Sequence, residues 1–280
     1  ANNHVRALAV SGGTIYAGGA FTQIDGGARD RLAAIDTDGG LLPWNPGANN
    51  IVYSLAAKGS ELYAGGSFTS IGGTSRNRIA AIDTDASAAV LAWNPNASNI
   101  VYSLAMNGST LYAGGSFATV SGQARGRLAA LDTDASAALL PWDPNANNNV
   151  FSLAMSGSTI LAGGNFTAIG ATARNRLAAI EIDGGLLAWD PSAGAGVRAL
   201  SVSGGVLYCG GDFTGIDVVT RNYIAAVAVD GGQVLSWNPN ADNVVYSLLG
   251  STITIYAGGA FSTMGTESQT FLAPLDRVPG

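Results

Sequence analysis

One motif recurs six times along the chain and leaves little freedom in how it can fold. Gly-Gly pairs stand at Gly18-Gly19, Gly65-Gly66, Gly114-Gly115, Gly163-Gly164, Gly210-Gly211 and Gly258-Gly259, at intervals of 47, 49, 49, 47 and 48 residues. A phenylalanine follows two residues after each pair, at Phe21, Phe68, Phe117, Phe166, Phe213 and Phe261. All five tryptophans keep the same period, at Trp44, Trp93, Trp142, Trp189 and Trp237. A fixed period of this size marks a repeat architecture, in which one unit cannot bury its apolar surface alone and stacks on its copies. The units run 4–50, 51–99, 100–148, 149–195, 196–243 and 244–280, and the whole of 1–280 reads as a single domain.

Each unit reads as four short strands. In the third, Val101 to Met106 leads into an Asn107-Gly108 turn, and Thr110 to Phe117 carries the Gly-Gly pair. A Ser/Gly loop reaches Arg127, Leu128 to Asp132 is the third strand, and Leu139 to Trp142 is the fourth, ended by Asp143-Pro144. Segments of this length between turn signals are strands, and Pro cannot donate to a ladder. The Ala-rich stretch 134–140 is too short to nucleate a helix. Strict alternation along Val101 to Met106 puts Val, Ser and Ala on one face and Tyr, Leu and Met on the other. A sheet apolar on both faces must be covered on both. Four-stranded units stacked between copies of themselves predict an all-β fold, a six-bladed β-propeller of antiparallel blades. A linear solenoid would need polar caps, and none is visible.

Composition narrows the function classes. Of 280 residues, 47% are apolar and 11% charged, enough for a core. The net charge of −6 argues against a nucleic-acid partner, since neutralising phosphates needs clustered cations. No run of 18 apolar residues suggests a membrane span. Few Lys, many Asn, Ser, Thr and Gly, and the acidic balance suit a secreted or cell-surface bacterial protein. No leader is legible, and Ala1 in place of Met reads as a processed end or as an artificial boundary. His4 is the one histidine, which argues against His-based zinc clusters and a Ser-His-Asp triad. The one cysteine, Cys209, stands where other units have Ala17, Ala64, Ala113, Ala162 and Ala257; it reads as a small buried hydrophobe rather than a reactive thiol.

Ala34, Asp36, Gly40 and Trp44 form an Ala-x-Asp-x-x-x-Gly-x-x-x-Trp spacing, repeated with Glu181 at Ala179 to Trp189. This resembles the tryptophan-docking motif of quinoprotein-type propellers, and the resemblance implies an indole seated on the neighbouring blade. Units two and three depart from it, being two residues longer between acid and Trp. With Leu62 to Phe68, the unit resembles the bacterial propeller repeats called delta-sixty repeats over about residues 4–276, with a looser likeness to kelch-type repeats. These resemblances imply a fold rather than an activity. The sixth unit carries no fourth strand and no Trp, and Ala1-Asn2-Asn3 matches Ala48-Asn49-Asn50. Either that blade has three strands, or the chain is a piece of a longer one, or another chain supplies the strand; an unpaired outer edge invites strand addition.

Nine of the 13 basic residues lie before the third strand: Arg29, Arg31, Arg76, Arg78, Arg125, Arg127, Arg174, Arg176 and Arg221. They form either a guanidinium ring for an anionic polymer or, as the recurrence favours, an Arg–carboxylate ladder with Asp36, Asp83, Asp132 and Glu181. The Asp-Thr-Asp segments also suggest calcium, but an Asp/Gly turn explains the same residues. No metal or cofactor is expected. Departures from the repeat point to a ligand site. Arg6 and Arg198 replace the aromatic found at Tyr53, Tyr102, Phe151 and Tyr246, which suggests a carboxylate or phosphate site at a channel mouth. Unit five adds Asp212, Asp217 and Tyr223. The expected function is a non-catalytic module, either binding a protein or glycan or structural. The alternatives are a fibre subunit completed by a neighbouring chain at the sixth blade, and a lactonase- or quinoprotein-like enzyme.

Overall fold

The computed structural model describes residues 1–134 and 136–278. Pro279 and Gly280, which close the sixth unit as read from sequence, and Ala135 of the Ala-rich stretch lie outside them. Among the described residues all regular secondary structure is β. The chain divides into two compact units, Ala1–Asp143 and Pro144–Gly280.

Every repeat builds a three-stranded antiparallel sheet in sequence order, with the Gly-Gly strand in the middle, plus a small hairpin. In the third repeat the strands are Val101–Asn107, Thr110–Gly115 and Leu128–Asp132, and the hairpin joins Thr119–Val120 to Gln123–Ala124. That hairpin occupies what the sequence suggests is a plain loop. The expected fourth strand shrinks to a single bridge, such as Leu131 with Leu139, flanked by Asp132 N–H to Ala138 O and Leu140 N–H to Ala130 O. The next residue is Pro141 and then Trp142 turns inward, so pairing stops after one residue. In the sixth repeat the third strand is Leu272–Asp276, and the described residues show no bridge to a fourth segment.

Strict alternation in the first strand does not hold. A β-bulge lies between Val101 and Ser103, and the same shift occurs in all six first strands described. The extra residue puts Val101 and Leu104 on one face, both against Gly65 of the preceding sheet. The Leu104 N–H bonds outside its own sheet, to Ser54 Oγ of that preceding sheet at 2.9 Å. Leu200 does the same with Ser152.

The first glycine of each pair makes this approach possible. A Cβ on Gly65 would lie 2.8 Å from Val101 Cγ1, and one on Gly163 2.8 Å from Val197 Cγ1. Only hydrogen fits there. The second glycine faces its own sheet instead: a Cβ on Gly66 would lie 2.3 Å from Ile51 O. Within each compact unit, the first strands of successive repeats lie side by side and their sheets share cores. One core combines Tyr63, Ile79, Ala81 and Trp93 of the second repeat with Val101, Leu104, Leu111, Phe117 and Leu131 of the third. Burying each such aliphatic side chain contributes about 1.5–3 kcal/mol, so the joints supply much of the stability.

The tryptophans span these joints, as the docking-motif resemblance implies. Trp93 Nε1 donates to Asp132 O of the next repeat at 2.8 Å, and its ring meets Tyr63 edge-on at 5.0 Å. Trp44 donates likewise to Asp83 O at 2.8 Å and Trp237 to Asp276 O at 2.8 Å. One bond therefore ties the end of one repeat to the third strand of the next, while the indole fills the gap between sheets.

Candidate functional site

The start of each first strand gathers the residues that break the repeat. In the first compact unit the Arg6 guanidinium stands 5.7 Å from the Tyr53 ring centre, and Tyr53 meets Tyr102 edge-on at 5.4 Å. In the second, Arg198 sits between Phe151 at 5.5 Å and Tyr246 at 5.7 Å. Adjacent first strands put equivalent positions side by side, so an arginine at this place meets a neighbouring aromatic face and gains cation–π attraction. Each unit thus carries a row of two aromatics and one arginine, partly open to solvent.

Arg198 and Asp212, singled out separately from the sequence, come together. Arg198 Nε donates to Asp212 Oδ1 at 2.9 Å, with both side chains partly exposed. The guanidinium charge is therefore answered within the repeat. Asp217 and Tyr223 serve elsewhere. The Asp217 carboxylate accepts Ser192 N–H at 2.8 Å and holds a loop to the small hairpin. Tyr223 has φ +63 and packs beside Trp237 and Val245. Its N–H donates to Phe213 O and its carbonyl accepts Gly211 N–H. Arg31, Arg78, Arg127, Arg176 and Phe271 share this left-handed conformation, so the position is a structural corner of the repeat.

Five of the arginines before the third strand spend their hydrogen bonds on main-chain carbonyls and not on Asp36, Asp83 or Asp132. Arg125 and Arg174 also stand 3.8 Å and 3.6 Å from Asp143 and Asp190, the acids beside the following prolines. Arg76 donates to Ser75 O at 2.8 Å and to Leu91 O at 2.6 Å, and Arg29, Arg125, Arg174 and Arg221 repeat the pattern. The planar fork clasps the main chain that follows the third strand, which is too short to hold itself by pairing. The acids are engaged locally: Asp36 Oδ1 accepts Asp38 N–H and Gly40 N–H, and Asp83 and Asp132 accept Asp85 N–H and Asp134 N–H. These are Asx turns.

Cys209 is buried in the middle strand of the fifth repeat, its Sγ 3.6 Å from Ala225 O, and burial pushes its thiol up to about 12. Alkylation at about pH 8, where a free thiol is partly ionised, is expected to spare the native protein and label it in denaturant. Cys209→Ala should leave the melting temperature almost unchanged, because alanine fills this place in the other repeats.

A side-chain latch that the sequence reading missed fixes successive repeats. Asn49 Oδ1 accepts Thr69 N–H at 2.8 Å and Ser70 N–H at 3.1 Å, tying the end of one repeat to the hairpin of the next. Asn2, Ser98, Asn147 and Asp242 do the same. The signal lies in an Asn, Ser or Asp three residues before the first strand in five of the six repeats, the fifth having Gly194 there, in a spot that otherwise reads as generic loop. Bonds from Ser262 Oγ and from the Thr263 and Ser262 N–H groups pull the Asp242 carboxyl down to about 2. Its contribution is therefore present above the unfolded value of about 4 and lost as pH falls through about 2. Asp242→Asn, which restores the asparagine of three other latches, is expected to make this contribution flat with pH. Thermal melts of wild type and variant from about pH 2 to 6 should converge at the acid end.

A family described as a β-propeller domain of unknown function, DUF5122, matches residues 61–87, within the second repeat. No curated protein matches the chain. The structure is similar to the computationally designed Ika8 protein at 17% identity and TM-score 0.61, over 95% of this chain and 73% of that one. It is similar to the WD40 repeats of RRP9 at 15% identity and TM-score 0.62, over 92% and 74%. The extracellular domain of BT4673 from B. thetaiotaomicron aligns at 13% identity and TM-score 0.59, over 93% of this chain and 32% of that one. With the repeated sheets, hairpins and joints above, these likenesses place the chain in the β-propeller fold.

Proposed function

We propose that the chain is a non-catalytic propeller module of a secreted or cell-surface protein, in which six repeats act as blades and the first-strand rows bind a protein or glycan. The rows carry the reading: Arg6, Tyr53 and Tyr102 in one unit, and Phe151, Arg198 and Tyr246 in the other, present aromatic faces at the surface with cations fixed against them. Aromatic and arginine side chains dominate binding hot spots because they bury large apolar area at low conformational cost. A sugar ring or an extended peptide matches such a strip; an anionic polymer matches it poorly, since Asp212 already answers Arg198.

The placement of the acids supports a non-catalytic role. Asp36, Asp83 and Asp132 accept hydrogen bonds within their own turns, and the buried Cys209 thiol is held protonated. The composition supports the location.

Binding of the protein to immobilised neutral oligosaccharides and extracellular-matrix proteins tests the reading. Ligands captured by wild type should weaken at least about tenfold with Tyr102→Ala, the loss of a moderate hot spot. Capture that is unchanged by Tyr102→Ala and Arg6→Ala contradicts it.

A further inference from the structure

The joint between successive sheets has two sides of different chemistry. One side is the Tyr, Leu or Ile, and first glycine of a repeat; the other is the Val and Leu of the next first strand. Tyr63, Ile79 and Gly65 receive Val101 and Leu104, and Tyr208, Ile224 and Gly210 stand in the same relation to Val245 and Leu248. Among the described residues, each compact unit carries one of these sides exposed.

Among the described residues of the first unit, none takes the receiving place against the first strand. Val5, Leu8 and Val10 of the first strand are exposed, Leu8 at 63% where its equivalent Leu55 is at 8%. The core beneath them, Ala17, Phe21, Ile24 and Ala33, contains residues of that one repeat alone. Among the described residues of the second unit, none inserts against the sheet of the sixth repeat. Tyr256 is 43% exposed, and Leu272 is 62% exposed where its equivalent Ile224 is fully buried. A Cβ on Gly258 would meet Ser247 Oγ of its own sheet, whereas one on Gly210 meets Val245 of the following repeat.

The two open faces are the two halves of one joint whose geometry the chain already repeats. We propose that they meet between copies: the Val5/Leu8 face of one molecule seats on the Tyr256/Leu272/Gly258 face of a second. The contact is heterologous, so it propagates head to tail and closes or extends according to the angle it sets. It differs from strand addition at the edge of the sixth sheet. Pro274 stands at the register position of Ala34, whose main chain faces outward to Leu42 N–H. A proline there removes an outward donor and blunts the edge for pairing.

Light scattering coupled to size exclusion tests this on the 280-residue protein up to about 100 µM, where even a micromolar joint is filled. Wild type is expected above its monomer mass of 28.1 kDa and rising with concentration. Leu8→Glu and Leu272→Glu each spoil one face, at positions exposed enough to leave the fold intact, which circular dichroism verifies. Each variant alone should be monomeric, and an equimolar mixture should give a dimer that grows no further, because only one intact pair of faces remains. A monomeric wild type at the highest concentration, as closure of a chain upon itself would give, overturns the proposal. So does self-association that survives in either single variant, or a mixture that stays monomeric.

Discussion

Gly66→Ala is expected to lower stability by about 3 kcal/mol or more, at the upper end of overpacking costs. The reason is space and not backbone conformation. A Cβ there would stand 2.3 Å from Ile51 O and 2.8 Å from Phe68 Cδ1, against a carbonyl fixed by the bulged pairing of the first and second strands. Neither neighbour can move alone. The carbonyl also accepts Ser67 N–H at 2.9 Å, and the Phe68 ring is fully buried. Gly59 supplies the contrast. It sits in a turn at φ +58 with nothing within 4 Å of the place a methyl would take, so Gly59→Ala meets only the left-handed penalty of about 1–2 kcal/mol. Urea denaturation of the two variants side by side should show the larger midpoint shift for Gly66→Ala. Equal shifts would mean that the second glycine serves only chain flexibility.

Trp93→Ala carries the other large effect, about 3–5 kcal/mol, typical of removing a buried aromatic. Its side chain is buried, meets Tyr63 edge-on, and donates to Asp132 O. Trp93→Phe separates the two contributions. It keeps most of the packing and loses the donor, leaving the Asp132 carbonyl unanswered at a cost of about 1–3 kcal/mol. Since repeat stability is a sum of unit and joint terms, the loss should concentrate in the second and third repeats. Hydrogen exchange should quicken along the strands Thr110–Gly115 and Leu128–Asp132 before the first repeat responds. A uniform response along the chain would contradict a joint-by-joint account.

Much of this was legible because the repeat exposes its own constraints. A Gly-Gly pair inside a strand asks for close approach, and the structure supplies it at Gly65 against Val101. A tryptophan at a fixed offset from an acid implied docking on the next repeat, and Trp93 does so. Besides the small hairpin and the latch, two things were not legible, for physical reasons. The bulge at Val101/Ser103 changes which residues share a face, and an added residue in one strand leaves no mark in an apolar run. The partners of arginine were also misassigned. Side-chain chemistry pairs guanidinium with carboxylate, but main-chain carbonyls after the third strand lie nearer to Arg76 than any acid does, and Asp83 is taken by its own turn. At the candidate site, the structure sets Arg6 against Tyr53 and joins Arg198 to Asp212, residues that the departures from the repeat singled out. Asp217 and Tyr223 stand apart from that pair, Asp217 on Ser192 N–H and Tyr223 at the left-handed corner that the other repeats share.

The central claim is that sheets of successive repeats meet through a glycine that makes room for the next repeat's valine. A double-mutant cycle on Gly65 and Val101 measures this most directly. Gly65→Ala should cost about 1–3 kcal/mol by pressing a methyl against Val101 Cγ1. Val101→Ala removes that atom, so the double variant should be at least about 1 kcal/mol more stable than the sum of the single losses predicts. Losses that simply add would show that the two residues do not share a joint and would contradict the account.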